Sequence, residues 1–236
     1  MKNVLITGAA VGIGKEVVTF FAKNNYNIVF SYLTNEKKAE ELKYDVEKNY
    51  NVKIYSIKCD ITNEKEVINM IKFTNDKLGG IDILINNASY YADNTYDLKS
   101  KEEFMKVLEV NVVGTFLVTK YSLNYMNNGI VINISSLDSV STYNEYNMDY
   151  SVSKAGVNMI SKCFSISNLN NKFVSVLLPW INTKSTMEMS EEFLGQELKR
   201  TSQKRLVEPF EVAEKIYELT LDKNIKSGSI ITMEFD

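Results

Sequence analysis

Thr7-Gly8-Ala9-Ala10-Val11-Gly12-Ile13-Gly14 follows the apolar run Asn3-Val4-Leu5-Ile6-Thr7 and opens a stretch in which Ile13, Val17 and Phe21, with Val18 beside them, recur at helical spacing. Strand, glycine-rich turn and amphipathic helix in that order form the start of a dinucleotide-binding βαβ unit. Glycines let the backbone approach a pyrophosphate, and the unpaired N–H groups of the helix start present a positive dipole end to it.

Outward from this turn, the chain alternates. Strand-length apolar runs recur at 27–32, 52–57, 81–86, 129–135, 173–178 and 229–233. Between them lie helical patterns over Glu36 to Lys48, Glu64 to Leu78, Glu102 to Met126, Tyr150 to Leu169 and Glu211 to Leu221. Such alternation predicts a parallel sheet buried on both faces. The expectation is one α/β domain over residues 1–236: a Rossmann-type, doubly wound, seven-stranded parallel sheet with helices on both faces. No linker, repeat or low-complexity tract interrupts it. Residues 184–206, Met-rich and charged after the sixth strand, are expected to form a mobile lid over a substrate, or an ordinary surface helix pair.

Composition excludes several classes. A net charge of −3 gives no basic footprint for nucleic acid. The absence of histidine removes a His metal site and a His general base, and no metal site is expected. Cys59 and Cys163 are far apart, form no metal or redox motif, and are expected to be small buried side chains in a reducing compartment. No apolar run nears the roughly 20 residues that span a bilayer. The amino terminus reads as a strand and not as a signal peptide, so a cytoplasmic protein is expected.

Chemistry concentrates in a few places. Tyr150-Ser151-Val152-Ser153-Lys154 puts a phenol and an ammonium one helical turn apart, so the charge can lower the phenol's pKa and make it a proton donor. Tyr44 and Lys48 repeat that spacing, but in a charged helix whose polar face is solvated. The second strand ends at Ser31-Tyr32-Leu33 without the acid that would bind the ribose hydroxyls of NAD, and Lys37 and Lys38 follow. They are candidates for a 2′-phosphate, or are simply solvated. Asp60 can meet an adenine edge or cap the next helix, for which Asn63 is the better cap. Asn86-Asn87-Ala88-Ser89 follows the fourth strand, where ligands lie in such folds. Asn111 is an amide inside an apolar helix and needs partners, structural or catalytic. Ser135-Ser136 ends the fifth strand, where a hydroxyl can hydrogen-bond a substrate carbonyl.

Together, TGAAVGIG, NNAS, Asn111, ISS and YSVSK, in this order and spacing, resemble the short-chain dehydrogenase/reductase family over essentially the whole chain. The resemblance implies a tetrad of Asn111, Ser136, Tyr150 and Lys154. Tyr150 would be the general acid in reduction. Lys154 would lower its pKa and hold the nicotinamide ribose. Ser136, the last residue of ISS, would orient the carbonyl, and Asn111 would fix a relay water. It further implies cofactor contacts from Gly8, Gly12, Ile13 and Gly14 at the pyrophosphate, and from Tyr32 at the end of the second strand. Asp60 and Ile61 would lie at the adenine, Asn87 and Ala88 at the ribose, and Thr183 at the nicotinamide amide, with Tyr150 and Lys154 also contacting the cofactor.

The chain departs from the pattern at three points. Ser89 stands where Gly is usual, as in the NNAS of pteridine reductases, though Ser136 is retained where those usually carry Asp. Pro179-Trp180 replaces Pro-Gly, so a turn that Gly's wider backbone freedom usually serves must be made without it. Val11 replaces a frequent Arg, which removes one usual 2′-phosphate contact.

The function expected is NADP(H)-dependent reduction of a carbonyl by hydride transfer, NADP(H) being favoured over NAD(H). In overall look the chain is nearest to 3-oxoacyl-[acyl-carrier-protein] reductases of fatty acid biosynthesis. An acyl-carrier protein is then a candidate partner for Lys199, Arg200, Lys204 and Arg205. The alternatives are reduction of another small carbonyl or a pteridine, or a non-catalytic cofactor-binding regulator. Tyr90, Tyr91, Tyr96, Tyr143, Tyr146 and Trp180 suggest an aromatic pocket wall. The long helices at 102–126 and 150–169 imply, by the resemblance, a homodimer or homotetramer.

Overall fold

Along β1 (Asn3–Ile6) successive side chains point to opposite faces of the sheet, and both faces are covered. Val4 and Ile6 join one buried cluster with Phe21, Ile28, Phe30 and Val212, while Leu5 joins another with Val29, Met70, Leu84 and Val118. This double burial is why the strands read as unbroken apolar runs. A computed structural model describes residues 1–142 and 145–235 of the chain; Tyr143 therefore lies outside the described residues.

The other strands are β2 (Asn27–Tyr32), β3 (Ile54–Lys58), β4 (Ile83–Asn86), β5 (Ile130–Ser136), β6 (Lys172–Leu178) and β7 (Ser229–Thr232). They form a sheet of order β3-β2-β1-β4-β5-β6-β7, every pairing parallel. All seven strands expected from the sequence are present. The strand order reverses between β1 and β4, which opens a crevice at their carboxyl ends.

Helix ends follow local chemistry. α1 (Gly12–Lys23) starts at the glycine turn, and α2 (Glu36–Asn49) follows β2. Tyr44 of the α2 pair is 64% exposed, as a solvated face requires. α3 (Glu64–Leu78) is capped by Asn63, whose side chain accepts from the N–H groups of Lys65 and Glu66, and ends at Gly79 with φ 84°. The expected helix at 102–126 is subdivided: α4 (Lys101–Leu108), a π-helical turn (Glu109–Gly114), α5 (Thr115–Ser122) and a 3₁₀ turn (Leu123–Tyr125). A Ser100–Glu103 capping box starts it. α6 (Met148–Ser167) begins two residues before Tyr150. Residues 184–206 hold α7 (Lys184–Met187) and α8 (Glu191–Arg200), and α9 (Pro209–Leu221) starts on a proline suited to a first helical position.

Polar side chains within the sheet pair with one another, although the buried Asn86 Oδ1 has no protein partner among the described residues. Asn86 donates to Asn133 Oδ1 (2.7 Å) and Thr119 Oγ1 (3.0 Å), Asn133 donates to Ser161 Oγ (2.8 Å), and Ser161 meets Ser175 (2.7 Å). This ladder ties β4, β5, β6, α5 and α6 together beneath the crevice. One cysteine differs from expectation. Cys59 is buried, its thiol pushed up to about 12 first by burial, but Cys163 is exposed on the outer side of α6.

Candidate active site

At Gly8 and Gly14 the turn is held by contacts that leave no room for a side chain. Gly8 has φ 62°, and a Cβ there would lie 2.7 Å from Ala88 Cα. At Gly14 a Cβ would lie 2.6 Å from Ala9 Cα and 2.7 Å from Asn87 Nδ2. Gly12 has φ 58° and faces the Thr183 methyl group. Ser31 receives the Gly8 N–H at 3.3 Å, and its carbonyl receives that of Ala9 at 2.8 Å. Asn87 donates to the carbonyls of Thr7 (3.0 Å) and Gly8 (2.9 Å), and Thr7 Oγ1 accepts from the N–H groups of Asn87 and Ala88. Asn87 thus braces the turn with its side chain. Val11, the N-cap of α1, supplies no side-chain acceptor to the first N–H groups of that helix. A glycine cradle beside such donors suits a pyrophosphate. Gly14→Ala is expected to destabilise the fold by about 1–3 kcal/mol through overpacking and to weaken cofactor binding; thermal unfolding and NADPH fluorescence titration check it.

Around the crevice the adenine-side residues have partners of their own. Tyr32 is buried, its hydroxyl 3.5 Å from Glu36 Oε1, and burial, then Glu36 and Glu40, raise its pKa. Lys37 and Lys38 are exposed, Lys38 lying 3.4 Å from Glu41. Asp60 accepts from both the N–H (2.9 Å) and the hydroxyl (2.7 Å) of Thr62. Burial works to raise its carboxyl, but Thr62 and the Lys106 charge outweigh that and hold it below its ordinary value. Ile61 packs against Gly114, where a Cβ would come within 2.6 Å of Ile61 Cδ1. Ile13 opens α1, partly buried.

Asn111 lies in the π-helical turn and is 1% exposed. Its Oδ1 accepts from Tyr90 N (2.8 Å) and Ser89 Oγ (3.1 Å), and its Nδ2 donates to Tyr90 O (2.9 Å) and Ser153 Oγ (2.9 Å). Both donors and two acceptor positions of the amide are therefore engaged by protein. Its side chain clamps the β4–α4 connection to α6, a different arrangement from an amide that holds a water.

Ser135 and Ser136 point apart, as strand alternation requires. Ser135 is buried and donates toward Lys154 O (3.3 Å). Ser136, at the end of β5, accepts from Asp138 N (3.1 Å), and its hydroxyl can also donate. Lys154 is buried; its Nζ donates to Ile134 O (2.9 Å) and sits 5.3 Å from the centroid of the Tyr150 ring. Burial lowers the Lys154 pKa to about 8. Burial also raises the Tyr150 phenol well above its ordinary value, with Asp138 and Tyr91 adding to it and a hydrogen bond with Ser89 opposing it. In this geometry desolvation sets the direction of the phenol's shift, opposite to the lowering expected from the tyrosine–lysine spacing.

The far wall comes from the sixth connection. Trp180 is not among the residues with positive φ, so the loss of Gly introduces no left-handed strain there. Gln203 brackets the turn instead, accepting from Trp180 N (2.9 Å) and donating to Trp180 O (2.7 Å). Phe193 of α8 meets the Trp180 and Tyr146 rings edge-on at 6.1 and 5.9 Å. Arg200 pairs with Glu197 and lies 3.8 Å from Asp138. Thr183 caps α7 and shares its hydroxyl with Ser185 and Thr186, at 3.0 Å each. Gln203 and Asp138 carried no motif; only their partners give them a place here.

A Rossmann-type sheet with a glycine cradle at its switch point and a serine–tyrosine–lysine group beside it defines a dehydrogenase of the nicotinamide type. The sequence model described as short chain dehydrogenase matches residues 2–194, and the chain belongs to that family. It is an oxidoreductase acting on CH–OH and C=O groups, in a family that binds NAD(P)(H). Glucose 1-dehydrogenase 2 of Bacillus subtilis is 30% identical over 220 residues, covering 90% of this chain and 84% of its own. A 3-oxoacyl-[acyl-carrier-protein] reductase of Thermotoga maritima is 30% identical over 240 residues, covering 99% and 96%. A short-chain dehydrogenase/reductase from Serratia marcescens superposes with a TM-score of 0.92 at 21% identity, over 98% of this chain and 96% of that one. A metagenomic blue fluorescent protein solved with NADPH gives 0.92 at 20% identity, over 99% and 96%. Among the described residues, no helix is long and apolar enough to cross a membrane.

Proposed function

We propose that the chain reduces a carbonyl to an alcohol with NADP(H), a 3-oxoacyl thioester being the first substrate class to test, as a single cytoplasmic domain whose residues 184–206 close over the substrate. The observation that carries this reading is the Lys154 ammonium, which lies 5.3 Å from the centre of the Tyr150 ring and is tied at 2.9 Å to the Ile134 carbonyl, two residues before Ser136 at the end of β5, while Gly8 of the glycine turn packs on Ala88.

Bound NADPH would supply the hydride. Gly8, Gly12, Ile13 and Gly14 would hold its pyrophosphate, and Asn87, Ala88, Lys154 and Thr183 would surround the nicotinamide half. Tyr32, Asp60 and Ile61 would flank the adenosine half. The Ser136 hydroxyl would donate to the substrate oxygen and fix its orientation. The Tyr150 phenol would transfer its proton to that oxygen as negative charge develops on it. Lys154 would stabilise the phenolate left behind. Asn111 would keep the walls of the site together.

The preference for NADP(H) rests on the lack of an acid at residues 31–35 and on Lys37 and Lys38 beyond them. The 3-oxoacyl class is supported by relatives of that name. Of the basic residues considered for an acyl-carrier protein, Arg200 and Arg205 pair with acids of this chain, so docking would rest on exposed Lys199 and Lys204. The assay is NADPH oxidation with a short 3-oxoacyl thioester, in parallel with a sugar and a pterin. Thioester turnover preferring NADPH over NADH is expected. Turnover of only another carbonyl would replace the substrate class, and cofactor binding without turnover of any would favour a regulator.

The helices at 101–122 and α6 present Val113, Phe116, Val152, Met159 and Ile166 to solvent, apolar side chains that a partner copy would cover. A homodimer or homotetramer is proposed. Light scattering at micromolar concentration should give at least twice the 27.0 kDa chain mass, and a species at the chain mass would remove the proposal.

A further inference from the structure

The residue immediately before Tyr150 is Asp149, a fully buried carboxylate. Its Oδ2 lies 2.9 Å from Lys99 Nζ, and the two side chains are 0% and 4% exposed. Its Oδ1 accepts from the Tyr150 N–H at 2.9 Å, a first-turn donor that has no partner within its own helix. Lys99 Nζ also donates to Ala92 O at 2.7 Å. Asp93 stands beside the pair: burial raises its carboxyl, Lys99 draws it down and Asp149 pushes it up. One ammonium therefore holds the buried Asp149 carboxylate and the Ala92 carbonyl together.

Residues 87–99 contain no helix or strand and follow β4 from its carboxyl end. At one end they are held by Thr7 and Asn111, through Asn87, Ala88, Ser89 and Tyr90. At the other end Lys99 reaches the first turn of α6, fifty positions along the chain. A buried ion pair adds little net stability, because desolvation of both charges offsets their attraction. What it does supply is geometry, since an uncompensated buried charge would be costly in any other arrangement.

We propose that Lys99 and Asp149 are positioning residues, whose ion pair locks the first turn of α6, and with it Tyr150, to the 87–99 segment. The effect on turnover rests on Tyr150 being the proton donor; the lock itself does not.

The test uses the full chain. Lys99→Met alone would strand Asp149, so the Lys99→Met/Asp149→Asn double variant removes both charges, Asp149→Asn keeps the shape, and Lys99→Arg keeps the charge. Hydrogen exchange is followed in peptides spanning 90–99 and 148–152, with α9 as an internal reference. In the double variant both peptides should lose protection together, by about tenfold or more, while α9 is unchanged and NADPH binding persists. Asp149→Asn, which leaves the buried Lys99 charge without its carboxylate, should show the same change at least as strongly. With a carbonyl that the wild type reduces, kcat should fall by about 10- to 100-fold with little change in KM, and Lys99→Arg should recover most of it. Unchanged exchange in the two peptides, or a loosened pair of peptides with kcat intact, would overturn the proposal. If the wild type reduces no carbonyl, the Tyr150 reading fails by itself, and the exchange data alone decide the lock.

Discussion

Tyr150→Phe is expected to lower kcat by about 10²- to 10⁴-fold, the range general acid catalysis contributes, while NADPH binding and thermal stability stay near wild type. The change removes one hydroxyl and leaves the ring that lies above Lys154. Desolvation raises the phenol's pKa well above the ordinary value. A proton held this firmly at neutral pH is available for donation throughout the physiological range, so the chain starts reduction with its acid loaded. The alkoxide formed by hydride addition is a far stronger base than a phenolate, so transfer from Tyr150 remains favourable. Stopped-flow absorbance at 340 nm with both proteins at saturating NADPH checks this. A variant retaining wild-type turnover would exclude Tyr150 as the acid.

Lys154→Met is the second large effect, and it separates function from stability. The buried ammonium has its pKa lowered to about 8 from an ordinary 10.5 by desolvation. Folded chains thus release this proton near pH 8 and unfolded chains near pH 10.5. Between the two the unfolded state binds more protons, so wild-type stability rises with pH in that window. The cost of the buried charge is fully present below pH 8 and disappears above 10.5, an upper limit of about 3 kcal/mol. Methionine fills similar space without a charge. The Tm of wild type minus that of the variant should therefore increase between pH 7 and pH 10, a slope that urea unfolding at both pH values can confirm. Turnover should fall by about 10²-fold or more, because no cation remains to stabilise the Tyr150 phenolate. Parallel stability curves for the two proteins would mean that Lys154 is not buried as a charge.

Much of this site was legible because its signals are local. Gly8 and Gly14 are read from a turn whose steric demands lie within a few residues of the strand and helix it joins, and the close approaches to Ala88 and Ala9 bear those demands out. Asn63 is legible for the same reason, since caps act over three residues. The long helix at 102–126 was legible as helix but not as a helix interrupted by a π-helical turn, because an extra residue per turn changes backbone pairing without changing the apolar pattern. Trp180 suggested a strained turn, and the bracket from Gln203 could not be foreseen from a residue 23 positions away.

What the sequence by itself determined is the alternation of strands and helices, the glycine turn at the switch point and the residue types of the serine–tyrosine–lysine group. Each follows from periodicity or from chemistry confined to one segment. Only the tertiary structure decided what those residues touch. It made Asn111 a four-way clamp, turned Ser135 inward and Ser136 toward the crevice, raised the Tyr150 phenol instead of lowering it, and joined Lys99 to Asp149. Burial and partnership across 20 to 50 positions set these outcomes, and both arise only when the sheet brings its strand ends together.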